Sequence, residues 1–179
     1  MNTANKVTMI RVFLVPVFMV LFMIDNTICH YAALGVFVLA SITDAVDGHI
    51  ARKYNQTTTF GKFVDPLADK VLTTAAFLIL MYYDRMSVWA VMIVLTREFM
   101  VAGVRLVAAG EGNVVAASMW GKLKTVSQML AIIAAMLLLP TERFSAHFIS
   151  DILIWISVVF TVISGIDYLV KNWHLMKLK

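Results

Sequence analysis

The sequence is short of charge, of cysteine and of proline. Only 15% of its 179 residues are charged, against about 25% in an average soluble protein, and 61% are hydrophobic. A soluble core of this length cannot enclose that much apolar surface, so an ordinary soluble domain is excluded. The composition predicts an all-α integral membrane protein in which residues 1–179 form a single domain. The one cysteine, Cys29, excludes an internal disulfide.

Apolar stretches and polar breaks alternate along the chain. A helix that crosses a bilayer needs roughly 20 residues. We expect six transmembrane helices, over residues 8–24, 31–54, 61–83, 87–109, 118–139 and 148–169. Residues 1–7 are polar and are expected to lie at the interface. No small-residue cleavage site follows the first apolar run, so the first helix is expected to act as an uncleaved signal-anchor.

The positive charges favour one side of the predicted membrane. Six spans put both termini on that side, where 13 of the 15 Lys and Arg residues fall, leaving Arg85 and Arg143 opposite. The positive-inside rule therefore predicts that both termini face the cytoplasm. The net charge of +4 is explained by this bias. No soluble segment is long enough for a nucleic-acid module, so no nucleic acid is expected as a partner.

Four aspartates interrupt the apolar chain near the predicted cytoplasmic boundary. Asp44 and Asp47 end the second span, and Asp65 and Asp69 begin the third. Positions 44, 47, 48 and 51 share one face of a helix, and positions 61, 65 and 69 share another. A connector over residues 55–60 lets the two helices run antiparallel, so these faces can meet. Ionisable groups inside spans are costly and usually mark function.

Convergence of these carboxylates predicts a metal site. Carboxylates that meet repel one another and raise each other's pKa, a conflict that bound cations resolve. Oxygen ligands suit Mg²⁺, Mn²⁺ or Ca²⁺, and the chain has no matching Cys/His set for zinc. Four carboxylates can hold two divalent ions about 3.5–4 Å apart, which clamps a phosphoryl group during its transfer.

Gly48, Ala51 and Gly61 leave room for a phosphate ester or base, and Arg52 offers a fork for phosphate oxygens. Buried acid–base pairs that only hold helices together would explain one or two aspartates, not four.

The pattern D-x2-D-G-x2-A-R-x8-G-x3-D-x3-D over residues 44–69 resembles the signature of the CDP-alcohol phosphotransferase family. This resemblance implies a six-helix membrane fold, usually homodimeric, that displaces CMP from a CDP-linked donor. It also implies that Asp44 and Asp65 bridge both metals, that Asp47 completes one metal site, and that Asp69 binds the other metal and acts as base. It further implies a donor-binding set that comprises Gly48, Ala51, Arg52, Thr58 and Gly61.

The N-terminal sequence Asn5-x2-Thr8-x2-Arg11 carries a second resemblance. It is similar to the N-terminal motif of bacterial phosphatidylglycerophosphate synthases and of phosphatidylinositol-phosphate synthases. The resemblance implies that these residues meet the donor diphosphate. Ala4 stands where that motif usually has proline. The alternative is a capped first helix whose Arg11 side chain snorkels to the interface.

A cationic group in the fourth and fifth spans bears on the acceptor. Arg97 and Arg105 are two helical turns apart on one face, and the basic residues Lys122, Lys124 and Lys62 complete the candidate set. Such a cluster would bind a small dianionic phosphate, although Lys122 and Lys124 could instead be membrane-surface lysines. We do not expect Arg97 to pair with Glu98, because neighbouring side chains point apart on a helix.

These stretches are similar to phosphatidylglycerophosphate synthases along nearly the whole chain. The function this implies is transfer of the phosphatidyl group of CDP-diacylglycerol to sn-glycerol 3-phosphate. The expected cofactors are two divalent cations, Mg²⁺ or Mn²⁺, and the expected setting is a homodimer in the bacterial cytoplasmic membrane with its site facing the cytoplasm. Inositol phosphate is the closest rival acceptor, followed by phosphatidylglycerol and serine. A divalent-cation transporter is the non-enzyme alternative, disfavoured because its acids would lie near the bilayer midplane.

Overall fold

The computed structural model describes residues 3–53, 59–110, 118–140 and 144–173, and in them it contains six α-helices and no strand. Side chains are described for residues 9–43, 70–108, 110, 118–140 and 148–173. The helices are α1 (Thr3–Met23), α2 (Thr27–Lys53), α3 (Thr59–Tyr82), α4 (Val88–Gly110), α5 (Met119–Leu138) and α6 (Phe144–Lys171). The all-α prediction is confirmed, and each helix overlaps its predicted span.

Short polar residues determine where the helices begin. The Asn26 side chain accepts a hydrogen bond from the Ile28 backbone N–H at 2.8 Å, next to the start of α2. The Ser118 hydroxyl accepts from the Gly121 backbone N–H at 3.1 Å and caps α5. Such caps satisfy backbone donors that have no partner within the helix. Between α3 and α4 the chain turns at Asp84, whose φ of 56° lies in the left-handed region.

The first compact unit, Met1–Tyr82, contains α1, α2 and α3. Helix α1 packs against both α2 and α3. The ring centroid of Phe18 lies 5.8 Å from that of Phe22 and 5.7 Å from that of Phe37. All three rings are fully buried. Large aromatic side chains on α1 and α2 therefore fill the space between these two helices.

The second compact unit, Tyr83–Lys179, contains α4, α5 and α6. Helix α6 packs against both α4 and α5. Its buried face carries small hydroxyl side chains, and two of them bond within the helix. Ser157 donates to the Ile154 carbonyl at 2.7 Å, and Thr161 donates to the Ser157 carbonyl at 2.8 Å. Small residues at a helix interface allow close approach.

The outward faces of the helices are strongly apolar. Phe13 is 64% exposed, Ile28 77%, Leu106 76% and Val170 71%. Soluble monomers rarely expose continuous apolar surface of this kind. By length and composition, two helices in the described residues could cross a bilayer, Met119–Leu138 and Phe148–Lys171. The apolar parts Met9–Met23, Thr27–Thr43 and Lys70–Tyr82 are shorter. The exposed surface and these helices suggest association with a membrane.

Candidate active site

The two halves of the acidic motif lie on consecutive helices. Asp44 and Asp47 fall in the last part of α2, and Asp65 and Asp69 fall in the first part of α3. Helices α2 and α3 also contact each other. The helical geometry assumed for both halves is therefore confirmed, and the convergence of their side chains stays a prediction.

Several predicted site residues have side chains outside the described part of the chain, and their contacts stay predictions. These are Asn5, Thr8, Asp44, Asp47, Gly48, Ala51, Arg52, Gly61, Lys62, Asp65 and Asp69, and Thr58 lies wholly outside the described residues. Among the residues searched, no other group of three or more His, Cys, Asp or Glu residues could hold a metal ion. The acidic motif on α2 and α3 therefore remains the candidate for a metal site.

Arg11 is the part of the N-terminal motif whose side chain is described. It lies on α1 and is 1% exposed, the most buried charged residue among those described. An arginine that snorkelled to an interface would hold its guanidinium in water, so burial contradicts that alternative. A buried guanidinium is costly unless anionic or polar groups surround it. Contact between Arg11 and the donor diphosphate stays a prediction.

A charged cluster joins the three helices of the second unit. Arg97 of α4 donates through Nη1 to Glu98 Oε1 at 3.1 Å and through Nη2 to Ser164 Oγ of α6 at 2.6 Å. Lys124 of α5 donates through Nζ to the same Glu98 oxygen. The expectation that Arg97 and Glu98 do not pair is wrong. Adjacent helical residues diverge at Cβ, but both side chains are long enough to meet beside the Lys124 ammonium.

We call Arg97, Glu98, Lys124 and Ser164 the α4–α6 cluster. It is largely buried, with side-chain exposures of 12% for Arg97, 21% for Glu98 and 6% for Lys124. Two cations share one carboxylate, so these three side chains carry a net charge of +1. Arg97 Nε is also buried, and no described residue accepts a hydrogen bond from it. Buried cations are costly unless they are paired, and the shared Glu98 carboxylate lowers that cost for Arg97 and Lys124.

Glycines of α5 and α6 lie beside the Arg97 side chain. A Cβ added at Gly165 of α6 would lie 3.2 Å from Arg97 Cγ and 3.5 Å from the Met100 terminal methyl. A Cβ added at Gly121 of α5 would lie 3.8 Å from Arg97 Nη2 and 3.8 Å from Ser164 Oγ. The absence of a side chain at Gly165 therefore leaves room for Arg97, whereas a Cβ at Gly121 would make only ordinary van der Waals contacts.

Arg105 and Lys122 stand apart from the α4–α6 cluster. The Arg105 guanidinium carbon lies 5.8 Å from the centroid of the Tyr168 ring, a cation–π contact, and the residue is exposed. Lys122 is exposed on α5. Arg97 and Lys124 are thus the predicted acceptor residues that the structure brings together, among those whose side chains are described. Arg105 contacts Tyr168 instead.

Sequence reasoning missed two members of the α4–α6 cluster, Glu98 and Ser164. An acidic residue within an apolar span is itself a functional signal, and that signal could have identified Glu98. Ser164 had a weaker signal, since it lies seven residues after Ser157 on the face of α6 that carries small hydroxyl side chains. Its contact with Arg97 is tertiary and depends on how α4 packs against α6.

A model of the CDP-alcohol phosphatidyltransferase family matches residues 1–163, most of the chain. The chain belongs to the CDP-alcohol phosphatidyltransferase family. The resemblance carried by residues 44–69 is therefore confirmed. The matched residues of this phosphatidyltransferase include the whole acidic motif, Arg11, Arg97 and Lys124.

Curated members of this family are similar over almost their full length. A Bacillus subtilis relative is named CDP-diacylglycerol–glycerol-3-phosphate 3-phosphatidyltransferase. It is 46% identical, over 98% of this chain and 97% of its own. A Rickettsia typhi relative with the same name is 38% identical, over 93% of this chain and 94% of its own. A Mycobacterium tuberculosis relative, named probable phosphatidylglycerophosphate synthase, is 36% identical, over 95% of this chain and 81% of its own. Membership of a phosphatidyltransferase family confirms the prediction of an enzyme and removes the divalent-cation transporter from consideration.

Proposed function

We propose that the protein transfers the phosphatidyl group of CDP-diacylglycerol to sn-glycerol 3-phosphate and releases CMP and phosphatidylglycerophosphate. The observation that carries this proposal is the 46% identity, over nearly the whole chain, to a relative named for that reaction. The acidic motif supports the donor side of the proposal, and the α4–α6 cluster supports the acceptor side.

The donor site is assigned to α1, α2 and α3. Asp44, Asp47, Asp65 and Asp69 form an oxygen-only donor set that fits two Mg²⁺ or Mn²⁺ ions. Such ions, when bound, supply positive charge to the diphosphate of CDP-diacylglycerol. The proposed donor-contacting residues are Asn5, Thr8, Arg11, Gly48, Ala51, Arg52, Thr58 and Gly61. The burial of Arg11 on α1 supports its inclusion.

The proton transfer is assigned to Asp69. Its carboxylate accepts the proton of the acceptor's primary hydroxyl, and the hydroxyl oxygen attacks the phosphatidyl phosphorus in line. The bond from phosphorus to the CMP oxygen breaks, and Arg52 offsets the charge that develops on the leaving group. Positioning and electrostatic stabilisation dominate phosphoryl transfers of this kind, which suits a site built from fixed helix faces.

The acceptor phosphate is assigned to the cationic side chains of the second unit. Arg97 and Lys124 carry two largely buried positive charges with one carboxylate between them. A planar guanidinium with a buried Nε matches the oxygens of a phosphate monoester. Lys62, Arg105 and Lys122 remain proposed members of the acceptor site. An acceptor without a phosphate, such as serine, would offer these cations no dianionic group.

The proposed setting is a bacterial cytoplasmic membrane that all six helices cross, with both termini in the cytoplasm. The distribution of Lys and Arg supports this orientation. Lys124 lies five residues after the start of α5 and Ser164 seven before the end of α6, so both are within about 10 Å of ends proposed to be cytoplasmic. A homodimer is proposed from the family resemblance.

The decisive experiment is an assay of the purified full-length protein with CDP-diacylglycerol, Mg²⁺ or Mn²⁺, and a panel of acceptors. The panel contains sn-glycerol 3-phosphate, inositol phosphate, serine and phosphatidylglycerol. We expect CMP release that requires both the divalent cation and glycerol 3-phosphate. Faster release with inositol phosphate would keep the chemistry and replace the acceptor. No CMP release with any acceptor would refute the proposed function.

A further inference from the structure

A glutamine lies one turn beyond Lys124 on the buried face of α5. Positions 124 and 128 are four residues apart, so their side chains share one helical face, and both residues are buried. The rise between them is about 6 Å, which lets one small ligand contact both side chains. Gln128 is 5% exposed, so protein encloses its amide group.

The amide oxygen of Gln128 lacks a hydrogen-bond partner. Its Oε1 atom is fully buried, and no described residue donates a hydrogen bond to it. On α6, which packs against α5, the buried hydroxyls of Ser157 and Thr161 donate to carbonyls of their own helix. Beyond Gln128 the buried face of α5 continues with Ala131 and Ile132, whose side chains carry no donor. A buried amide oxygen without a partner is costly, and nearly all buried polar groups in proteins are paired.

Arg97 presents the complementary atom. Its Nε is a buried donor whose hydrogen bond no described residue accepts, and Gln128 Oε1 is an unsatisfied buried acceptor in the same unit. The oxygens of an ionised phosphate monoester can accept from Nε but cannot donate to Oε1, whereas an alcohol can donate. We infer that Gln128 is a specificity-determining residue of the acceptor site, which binds the secondary hydroxyl of the acceptor while Arg97 and Lys124 bind its phosphate. This inference rests on the acceptor site in the proposed function.

The hydroxyls of sn-glycerol 3-phosphate fit this assignment. The primary hydroxyl attacks the donor, the phosphate is assigned to Arg97 and Lys124, and the secondary hydroxyl is the group left for Gln128. A hydroxyl can donate to Oε1 and accept from Nε2, so it satisfies the amide in either orientation. A site built to bind a hydroxyl discriminates against an analogue without it, because the buried polar group is then left unpaired. Gln128 thereby selects phosphorylated polyols over simpler phosphorylated alcohols.

The test compares two acceptors in variants of the purified full-length protein. The acceptors are sn-glycerol 3-phosphate and 3-hydroxypropyl phosphate, which keeps the phosphate and the primary hydroxyl and lacks the secondary hydroxyl. Wild type should prefer sn-glycerol 3-phosphate by about tenfold or more in kcat/KM. Gln128→Met keeps the length of the side chain but removes the amide, and it should reduce that preference to less than about twofold. Thr125→Val changes an exposed residue of the same helix and should keep the wild-type preference.

A stability measurement separates ligand binding from a structural role. Gln128→Met removes a buried amide oxygen that has no partner, so its Tm without ligand should equal that of wild type or exceed it by up to about 2–4 °C. sn-Glycerol 3-phosphate should raise the Tm of Gln128→Met less than that of wild type. 3-Hydroxypropyl phosphate should raise the Tm of both proteins equally, because it offers Gln128 no hydroxyl.

An unchanged acceptor preference in Gln128→Met would overturn the inference, since it would show that Gln128 only fills the core. Gln128→Asn withdraws the amide by one methylene and covers the case in which Gln128→Met does not fold. It should also lose the preference, and full retention of the preference would count against the inference in the same way. The proposed function fails separately. If neither acceptor is turned over but sn-glycerol 3-phosphate stabilises wild type more than Gln128→Met, Gln128 binds the hydroxyl and the assigned reaction is wrong.

Discussion

Gly165 of α6 lies so close to Arg97 of α4 that an added Cβ would sit 3.2 Å from Arg97 Cγ. That distance is shorter than a comfortable carbon–carbon contact of about 3.5–4.0 Å. The same added Cβ would lie 3.5 Å from the Met100 terminal methyl. The position of the guanidinium thus depends on the absence of a side chain on a neighbouring helix.

Gly165→Ala should therefore displace Arg97 and weaken acceptor binding. We expect an increase in KM for sn-glycerol 3-phosphate of about tenfold, and a loss of stability of about 1–3 kcal/mol from overpacking. Gly103→Ala is the matched control, because a Cβ there meets nothing within 4 Å. It should be neutral or raise stability by up to about 1 kcal/mol through helix propensity. Equal effects of the two substitutions on KM would contradict the steric account.

Ser164→Ala should leave Arg97 Nη2 without its hydroxyl partner. A hydrogen bond to a charged group contributes about 1.5–3 kcal/mol, so we expect a loss of that order in unfolding free energy and a higher acceptor KM. Ser157→Ala removes a hydroxyl that is equally buried on the same helix and bonded only within it. It should cost less than about 1 kcal/mol and leave KM unchanged. Denaturation and acceptor titrations of both variants make the comparison.

Asp69→Asn should abolish turnover and leave CDP-diacylglycerol binding measurable. An amide cannot accept the proton of the attacking hydroxyl, so we expect kcat to fall by at least about 100-fold. Binding of the donor is measured directly, by titration of the purified variant with CDP-diacylglycerol. Asp25→Asn, an exposed acid in the α1–α2 connection, is the control and should keep normal turnover. Near-normal turnover in Asp69→Asn would remove the base role from this residue.

Membrane topology can be checked with single cysteines in a Cys29→Ala background, because Cys29 is the only natural cysteine. Asp25→Cys should react with a membrane-impermeant thiol reagent in intact cells. Lys171→Cys, at the last residue of α6, should react only after the membrane is opened. Both positions are exposed in the structure, so accessibility from the protein side does not differ. Labelling of Lys171→Cys in intact cells would refute the cytoplasmic orientation of this end.

The sequence determined the helices well because their signals are local. Polar breaks and hydropathy located all six, and the largest displacement at a start is five residues, where α1 begins at Thr3 instead of position 8. Helix α2 begins at Thr27, four residues before the predicted position 31. The Asn26 side chain caps this end, and hydropathy does not detect such a cap. Periodicity of the apolar residues carries the helical signal, while caps act over two or three residues and define the ends.

The acidic motif could be recognised from the sequence because the positions of its residues follow from spacing along single helices. Arg97 and Lys124 were also found, since charges within apolar spans stand out. Their arrangement was not predictable, because Glu98 turns toward a lysine 26 residues away and Ser164 reaches Arg97 across 67 residues. Arg105 shares a helical face with Arg97, yet it contacts Tyr168. Spacing along the sequence predicts which residues share a helical face. It does not predict which residue of another helix each side chain contacts.

The hydroxyls of α6 have a consequence for how this protein is made. Ser157 and Thr161 donate to carbonyls of their own helix, so in the proposed membrane topology α6 would enter lipid with those groups already satisfied. Lys124 reaches Glu98 only when α5 and α4 come together, and the Ser164 hydroxyl meets Arg97 only when α4 and α6 come together. The contacts between helices would therefore form late in biogenesis under the proposed topology, and they hold α4, α5 and α6 in register once the three helices have packed together.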